Sequence, residues 1–167
     1  VELMVDQRLS VHFTDPTHSY QHTSFSLEDA IRKLIKGAKQ KIHLVSYSLP
    51  AFNQNWYLHD VIEKALQKGI KLIVHANNKD EVFNFIARHR HRGAEGFAWI
   101  PRKDNGLFHI KAIMVDGTKL YMGSANLSEN AITNSAEWGF ILDNPDACVK
   151  LERYLSHLHS KGRFEVV

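Results

Sequence analysis

Apolar and polar residues alternate along this chain in two rhythms, one of three to four residues and one of two. The longer rhythm puts Leu27, Ala30, Ile31, Leu34, Ile35 and Ala38 on one helical face. Ser26 stands where an N-cap belongs, and Gly37 with its neighbouring lysines suits the helix end. A second stripe runs through Leu58, Val61, Ile62, Ala65 and Leu66, with Gly69 just past it. A third helix is expected around residues 81–90, turning Val82, Phe85 and Ile86 inward. A fourth follows Asn144-Pro145 and buries Cys148, Leu151, Leu155 and Leu158.

Between these helices, residues 42–49, 70–74, 97–100, 109–115, 119–122 and 136–142 have the composition or alternation of strands. Pro50 and Pro101 end two of them, and Asp116-Gly117 makes a tight hairpin turn. Strand, helix and strand over residues 42–74 predict a βαβ unit, hence two parallel strands with a right-handed crossover. The expected class is α/β: a mixed, largely parallel sheet with helices on both faces. Residues 1–24 are polar and are expected to form an extension whose ends pair with the sheet, and residues 25–167 a single domain. A chain of 167 residues buries roughly 70% of its unfolded surface, enough to fold without staples.

Composition adds limits. Hydrophobic residues make up 44% and charged ones 23%, an ordinary globular balance. The single cysteine, Cys148, excludes an intrachain disulfide and a multi-cysteine zinc site. No apolar run approaches the ~20 residues of a membrane span, and the start lacks a signal-peptide core, so a cytoplasmic location is preferred. Val1 in place of methionine is expected of a processed or excised piece of a larger chain. The formal charge of +3 and pI near 9.0 favour polyanionic partners only weakly.

The chemistry concentrates in residues 108–126, F-H-I-K-A-I-M-V-D-G-T-K-L-Y-M-G-S-A-N. His109 and Lys111 are two apart on an expected strand, so both side chains project from one face. An ammonium neutralising phosphate oxygens beside an imidazole that attacks or transfers a proton suits a phosphodiester. The hairpin returns the chain to Gly123, which permits close backbone approach, and to Ser124 and Asn126, which supply hydrogen bonds to phosphoryl oxygens. Glu137, on the next strand, is expected to accept a histidine ring N–H and fix its tautomer. Asp116 is assigned a structural role in its turn.

This pattern resembles the H-x-K-x4-D-x6-G-S-x-N signature of the phospholipase D superfamily. His109, Lys111, Asp116, Gly123, Ser124 and Asn126 match all six fixed positions, and Glu137 sits where that family carries an acidic residue. At roughly 5% per residue type, a chance match is on the order of a few in a million. Less specifically, the likeness runs from about Ser26 to Leu158. Short members with one motif copy are mostly nucleases, whereas larger lipid-cleaving members usually carry two. The resemblance implies a covalent phosphohistidine on His109, with a second histidine protonating the leaving oxygen. With one copy per chain, that histidine must come from a homodimer partner across a two-fold axis. It further implies cleavage without metal or cofactor.

The expected substrate is DNA, with RNA as a further possibility. The alternative is a phospholipase D or phosphatidyl transferase acting on lipid phosphodiesters, and a non-catalytic nucleic-acid module ranks third. Arg88, Arg90 and Arg92, with Arg102 and Lys103 nearby in sequence, form the candidate nucleic-acid surface, weighed evenly against a solvated helix end. Trp56 and Tyr57 are candidates for stacking on a base, whereas Trp99 and Trp138 are expected in the core. The pairs His18/His22, His89/His91 and His157/His159, like most of the eleven histidines, are expected on the surface rather than on a metal.

Overall fold

The computed structural model describes residues 8–21, 25–103 and 106–167. In chain order the elements are β1 (Arg8–Thr14), α1 (Leu27–Lys36), β2 (Lys41–Val45), α2 (His59–Gln67), β3 (Lys71–Ala76), α3 (Lys79–Ile86) and β4 (Ala94–Trp99). Then follow β5 (Ala112–Val115), β6 (Lys119–Gly123), α4 (Glu129–Asn134), β7 (Glu137–Asp143), α5 (Pro145–Ser160) and β8 (Phe164–Val166). The strands form one eight-stranded sheet in the order β1-β7-β6-β5-β2-β3-β4-β8.

The sheet is mixed, as expected, but not largely parallel. Only β2–β3 and β3–β4 run parallel, and the other five pairings are antiparallel. The βαβ unit is present, yet the tight β5–β6 turn makes that pair antiparallel, and β7 returns antiparallel to β6 after α4. Asp116 (φ 54°) and Gly117 (φ 65°) make the β5–β6 turn left-handed at both central positions, the geometry that matches strand twist. Two strands lacked a periodic signal: β1, within the polar leading segment, pairs with β7, and the three-residue β8 closes the far edge on β4.

The central strands are apolar on both faces because helices cover both. In β5, Ile113 and Val115 join the cluster under α1, α2 and α3, while Ala112 and Met114 join Cys148 and Leu155 of α5 on the opposite face. The local signals for α1 hold: the Ser26 hydroxyl accepts from the Asp29 N–H at 3.2 Å, and Leu27, Ile31, Leu34 and Ile35 are buried. α3 stops at Ile86, short of residue 90, and Arg90–Arg92 form a separate 3-10 turn ended by left-handed Gly93.

On the α5 side one half of the sheet is bare. Leu9, Val11 and Phe13 of β1 alternate outward and pair with Leu142, Phe140 and Trp138 of β7, and Met122 of β6 pairs with Phe140. Val11, Met122 and Trp138 are 41%, 44% and 50% exposed, so Trp138 is not the core residue its sequence context implies. It lies on strand β7, but no helix among the described residues covers that part of the sheet.

Candidate active site

The motif residues gather where β2 and β3 end and the β5–β6 hairpin returns. His109 and Lys111 do not lie on a strand, because β5 starts only at Ala112. They nevertheless face one another, with Lys111 Nζ 3.2 Å from His109 Nδ1. His109 is exposed and Lys111 half-buried. Burial lowers the lysine's pKa, Glu137's negative charge acts upward, and the net shift is downward.

Two residues near this pair carried no sequence signal. The Tyr47 ring packs on His109 with centroids 4.9 Å apart, and the Asn77 carboxamide hydrogen-bonds the backbone of Phe108 and Tyr47. Neither belongs to a recognisable spacing. A signal existed only in their positions, each one or two residues past a parallel strand's C-terminal end, where open α/β sheets build their sites.

The G-S-x-N segment owes its position to close backbone packing. A Cβ on Gly123 would meet the Trp138 carbonyl oxygen at 2.4 Å and the Gly139 Cα at 2.7 Å, so β6 and β7 touch glycine to glycine. Ser124 N–H donates to the Trp138 carbonyl at 3.0 Å, and the Ser124 hydroxyl accepts from the Trp138 N–H at 3.1 Å. That hydroxyl donates to the Glu137 carboxylate. Glu137 therefore engages Ser124, not His109: the expected histidine-orienting contact is not made within the chain. The Asn126 Oδ1 is buried and has no hydrogen-bond partner among the described residues. Trp56, expected as a stacking platform, is buried and donates through Nε1 to the Leu127 carbonyl at 2.7 Å, which holds the loop from below. Tyr57 is buried as well.

Asp116 stands outside this group. Partial burial pushes its carboxyl up, but hydrogen bonds from the backbone N–H groups of Lys39, Gln40 and Lys41, at 2.8–2.9 Å, outweigh it and hold the carboxyl below the usual range. It ties the hairpin turn to the start of β2, a structural role.

The basic run does not join the site. Arg88, Arg90 and Arg92 precede the start of β4, whereas His109 lies beyond the ends of β2 and β3 that run parallel to it. Five rises of ~3.3 Å along β4 separate the two ends by about 17 Å. Arg92 is held by Glu63 at 2.5 Å, and Arg90 lies over the Phe83 ring at 5.3 Å. Arg102 and Lys103 are at the correct end, beyond β4, but the Arg102 guanidinium caps α5 by donating to the Lys161 and Gly162 carbonyls at 2.9 and 3.1 Å. Lys103 is exposed.

Several histidines are not on the surface. His12, His43, His75 and His89 are at most 7% exposed. His43 Nε2 lies 2.8 Å from His75 Nδ1, and His75 Nε2 lies 2.8 Å from Nε2 of the half-buried His159, a line of three imidazoles beneath α5. His18, His91 and His157 are exposed, and His22 lies outside the described residues. Among the described residues, no three histidine, cysteine or carboxylate side chains converge as metal ligands, and no helix is long and apolar enough to cross a membrane.

The arrangement offers an exposed imidazole with an ammonium beside it, a hydroxyl bonded to a carboxylate, and a buried carboxamide oxygen without a partner among the described residues. The family described as "Cardiolipin synthase, PLD-like domain" matches residues 31–159. DISARM protein DrmC of Bacillus paralicheniformis is 26% identical over 144 residues, 82% of this chain. The chain spans 58% of that relative's length. Nuc of Salmonella typhimurium, a phospholipase D family member, superposes with a TM-score of 0.70 at 17% identity, covering 97% of this chain and 99% of Nuc. A phosphatidylserine synthase of Haemophilus influenzae also reaches 0.70 at 17% identity, covering all of this chain but 41% of the synthase.

Proposed function

This chain belongs to the phospholipase D superfamily of phosphodiester-cleaving enzymes, and from that premise we propose that it is a metal-independent nuclease, acting on DNA through a phosphohistidine at a homodimer interface. The observation that carries the reading is the His109–Lys111 contact on an exposed surface.

In the first step a His109 ring nitrogen attacks phosphorus and the P–O bond to the leaving nucleotide breaks. The partner subunit's His109 gives its proton to that leaving oxygen. In the second step the partner's imidazole takes a proton from water, whose oxygen attacks phosphorus. The P–N bond then breaks and frees His109. Lys111 and Asn126 hold the non-bridging oxygens, the lysine by charge and the asparagine through its carboxamide N–H groups.

The bare half of the sheet supports the dimer. Leu9, Val11, Phe13, Met122 and Trp138 form an apolar face with no cation among them, and it borders Ser124 and Glu137. We take this face as the surface that the two-fold contact covers. The same face is what a lipid surface would touch, which keeps lipid phosphodiesters as the second reading.

The test incubates the protein in excess chelator with labelled single- and double-stranded DNA, RNA and cardiolipin vesicles, beside His109→Ala. Nucleic-acid cleavage that survives chelator and vanishes in the variant is expected. Lipid turnover alone would establish the second reading, and dependence on metal would refute the mechanism. Val11→Lys, remote from the catalytic residues, should sediment as an inactive monomer. An active monomer would overturn the shared site.

A further inference from the structure

The sheet does not hold the nucleophile in place. The β2–β5 ladder ends at the pair Val45–Ala112, so residues 106–111 run beyond its last rung. Backbone outside a ladder has to find other partners for its N–H and C=O groups, or leave them to water. Here one side chain replaces the absent strand. Asn77, just past β3, accepts from the Phe108 N–H through Oδ1 at 2.9 Å and donates through Nδ2 to the Phe108 carbonyl. Nδ2 also lies 3.3 Å from the Tyr47 carbonyl, to which the Asn77 N–H donates at 3.4 Å. A single carboxamide thus fixes the residue before His109 and the residue whose ring packs on His109.

The Phe108 side chain makes the anchor rigid. It is 3% exposed, with ring centroids 5.7 Å from Trp99 and 5.0 Å from Phe164. His109 therefore projects from a residue locked at both its side chain and its backbone, while its own ring stays exposed. Asparagine suits this position because its carboxamide has the donor and acceptor of a peptide group. A carboxylate would accept from Phe108 N–H but would turn a second oxygen toward two carbonyls.

We propose that Asn77 is a positioning residue for His109, aiming the imidazole at phosphorus by pairing with the Phe108 peptide as a strand would. The proposal rests on the reading of His109 as nucleophile. Asn77 does not touch substrate.

The test compares Asn77→Ala and Asn77→Asp with the wild type on a nucleic-acid substrate, together with nitrogen-15 spectra of the His109 imidazole. Asn77→Ala should lower kcat by about ten- to a hundredfold with KM within about twofold, as a misaimed nucleophile does. Asn77→Asp should be impaired at neutral pH and recover relative to wild type as its carboxyl protonates and regains a donor. A folded Asn77→Ala with kcat within about twofold of wild type, or an Asn77→Asp pH profile parallel to wild type, would overturn the proposal. If Asn77→Ala does not fold, the isosteric Asn77→Asp decides alone. Should the wild type cleave no nucleic acid, the site reading fails separately, and the spectra decide on positioning. Broadened or shifted His109 signals in Asn77→Asp support it, and signals identical to wild type refute it.

Discussion

The line of imidazoles under α5 predicts a steep loss of stability in mild acid. Burial, with smaller contributions from the Lys41 and His159 charges, pushes His43 down from 6.5 to about 3. Burial pushes His75 down as well, followed by the charges of His43 and His159. The unfolded chain protonates both rings near pH 6.5 while the folded chain does not, so it binds more protons at every pH between. Their contribution is therefore fully present above pH 6.5 and is lost as pH falls from there toward 3. Each ring kept neutral costs about 1.4 kcal/mol per pH unit, or roughly 2.7 kcal/mol by about pH 4.5. His75 can take one proton if both neighbours accept from it, but a second proton in the line breaks a hydrogen bond. The expected loss is thus about 3–5 kcal/mol, a large part of the ~5–15 kcal/mol that stabilises a typical domain. His159, half-buried, is pushed down by burial as well and adds in the same direction.

Denaturant unfolding between about pH 7 and 4.5 measures this directly, with His43→Leu/His75→Leu as the comparison. Around His75 lie the rings of Phe97 and Phe164, at 4.8 Å each, so leucine meets an apolar environment. The double variant should lose most of the acid slope, whatever its stability at neutral pH. If wild type and double variant lose stability in parallel, other groups govern acid unfolding and the reasoning fails.

Three further outcomes follow from the site. Gly123→Ala should cost about 1–3 kcal/mol or more and abolish activity, because the contacts at 2.4 and 2.7 Å are backbone and β6 must part from β7; thermal melting and turnover check it. Asp116→Ala should lower stability by about 1–3 kcal/mol by stripping three N–H groups of their acceptor, yet leave kcat of the folded protein nearly unchanged. Glu137→Gln removes the anion that acts upward on Lys111, so the lysine's own titration, followed by nitrogen-15 NMR of Nζ, should move to lower pH. A titration that stays put would uncouple Glu137 from the lysine.

Much of the architecture was legible because local rules decide it. Ser26 caps α1, Asp116-Gly117 makes the hairpin, and the stripe through Val61 and Leu66 faces the core. The motif residues were legible for the same reason: His109 to Asn126 span one hairpin, so their proximity follows from the turn. Glu137 is nearby as expected but bonds Ser124, a choice between neighbours that spacing does not encode. Trp138 was misjudged because alternation identifies a strand but does not show whether a helix covers its outer face. β1 and β8 depend on pairing partners far along the chain, 135 residues away for Arg8–Asp143 and 69 for Phe97–Val166, and short strands at sheet edges have little pattern of their own.

The basic run shows most clearly why spacing alone misplaces a surface. Arg92 and Arg102 are ten positions apart, and His109 is seven beyond Arg102, so all three look like neighbours. Yet β4 lies between the first and the second, and a strand carries the chain from one end of the sheet to the other. In a βαβ succession every element reverses ends, so only residues after a strand's C-terminus can share a site with others so placed. Tyr47 after β2, Asn77 after β3 and His109 before antiparallel β5 all satisfy that condition, and Arg88, Arg90 and Arg92 do not. At the His109 end of the sheet Lys103 is exposed, so the proposed nucleic-acid path would use it rather than the arginines before β4. Substituting Arg88 and Arg90 should accordingly leave the salt dependence of binding unchanged, whereas Lys103→Ala should reduce its slope by about one phosphate contact.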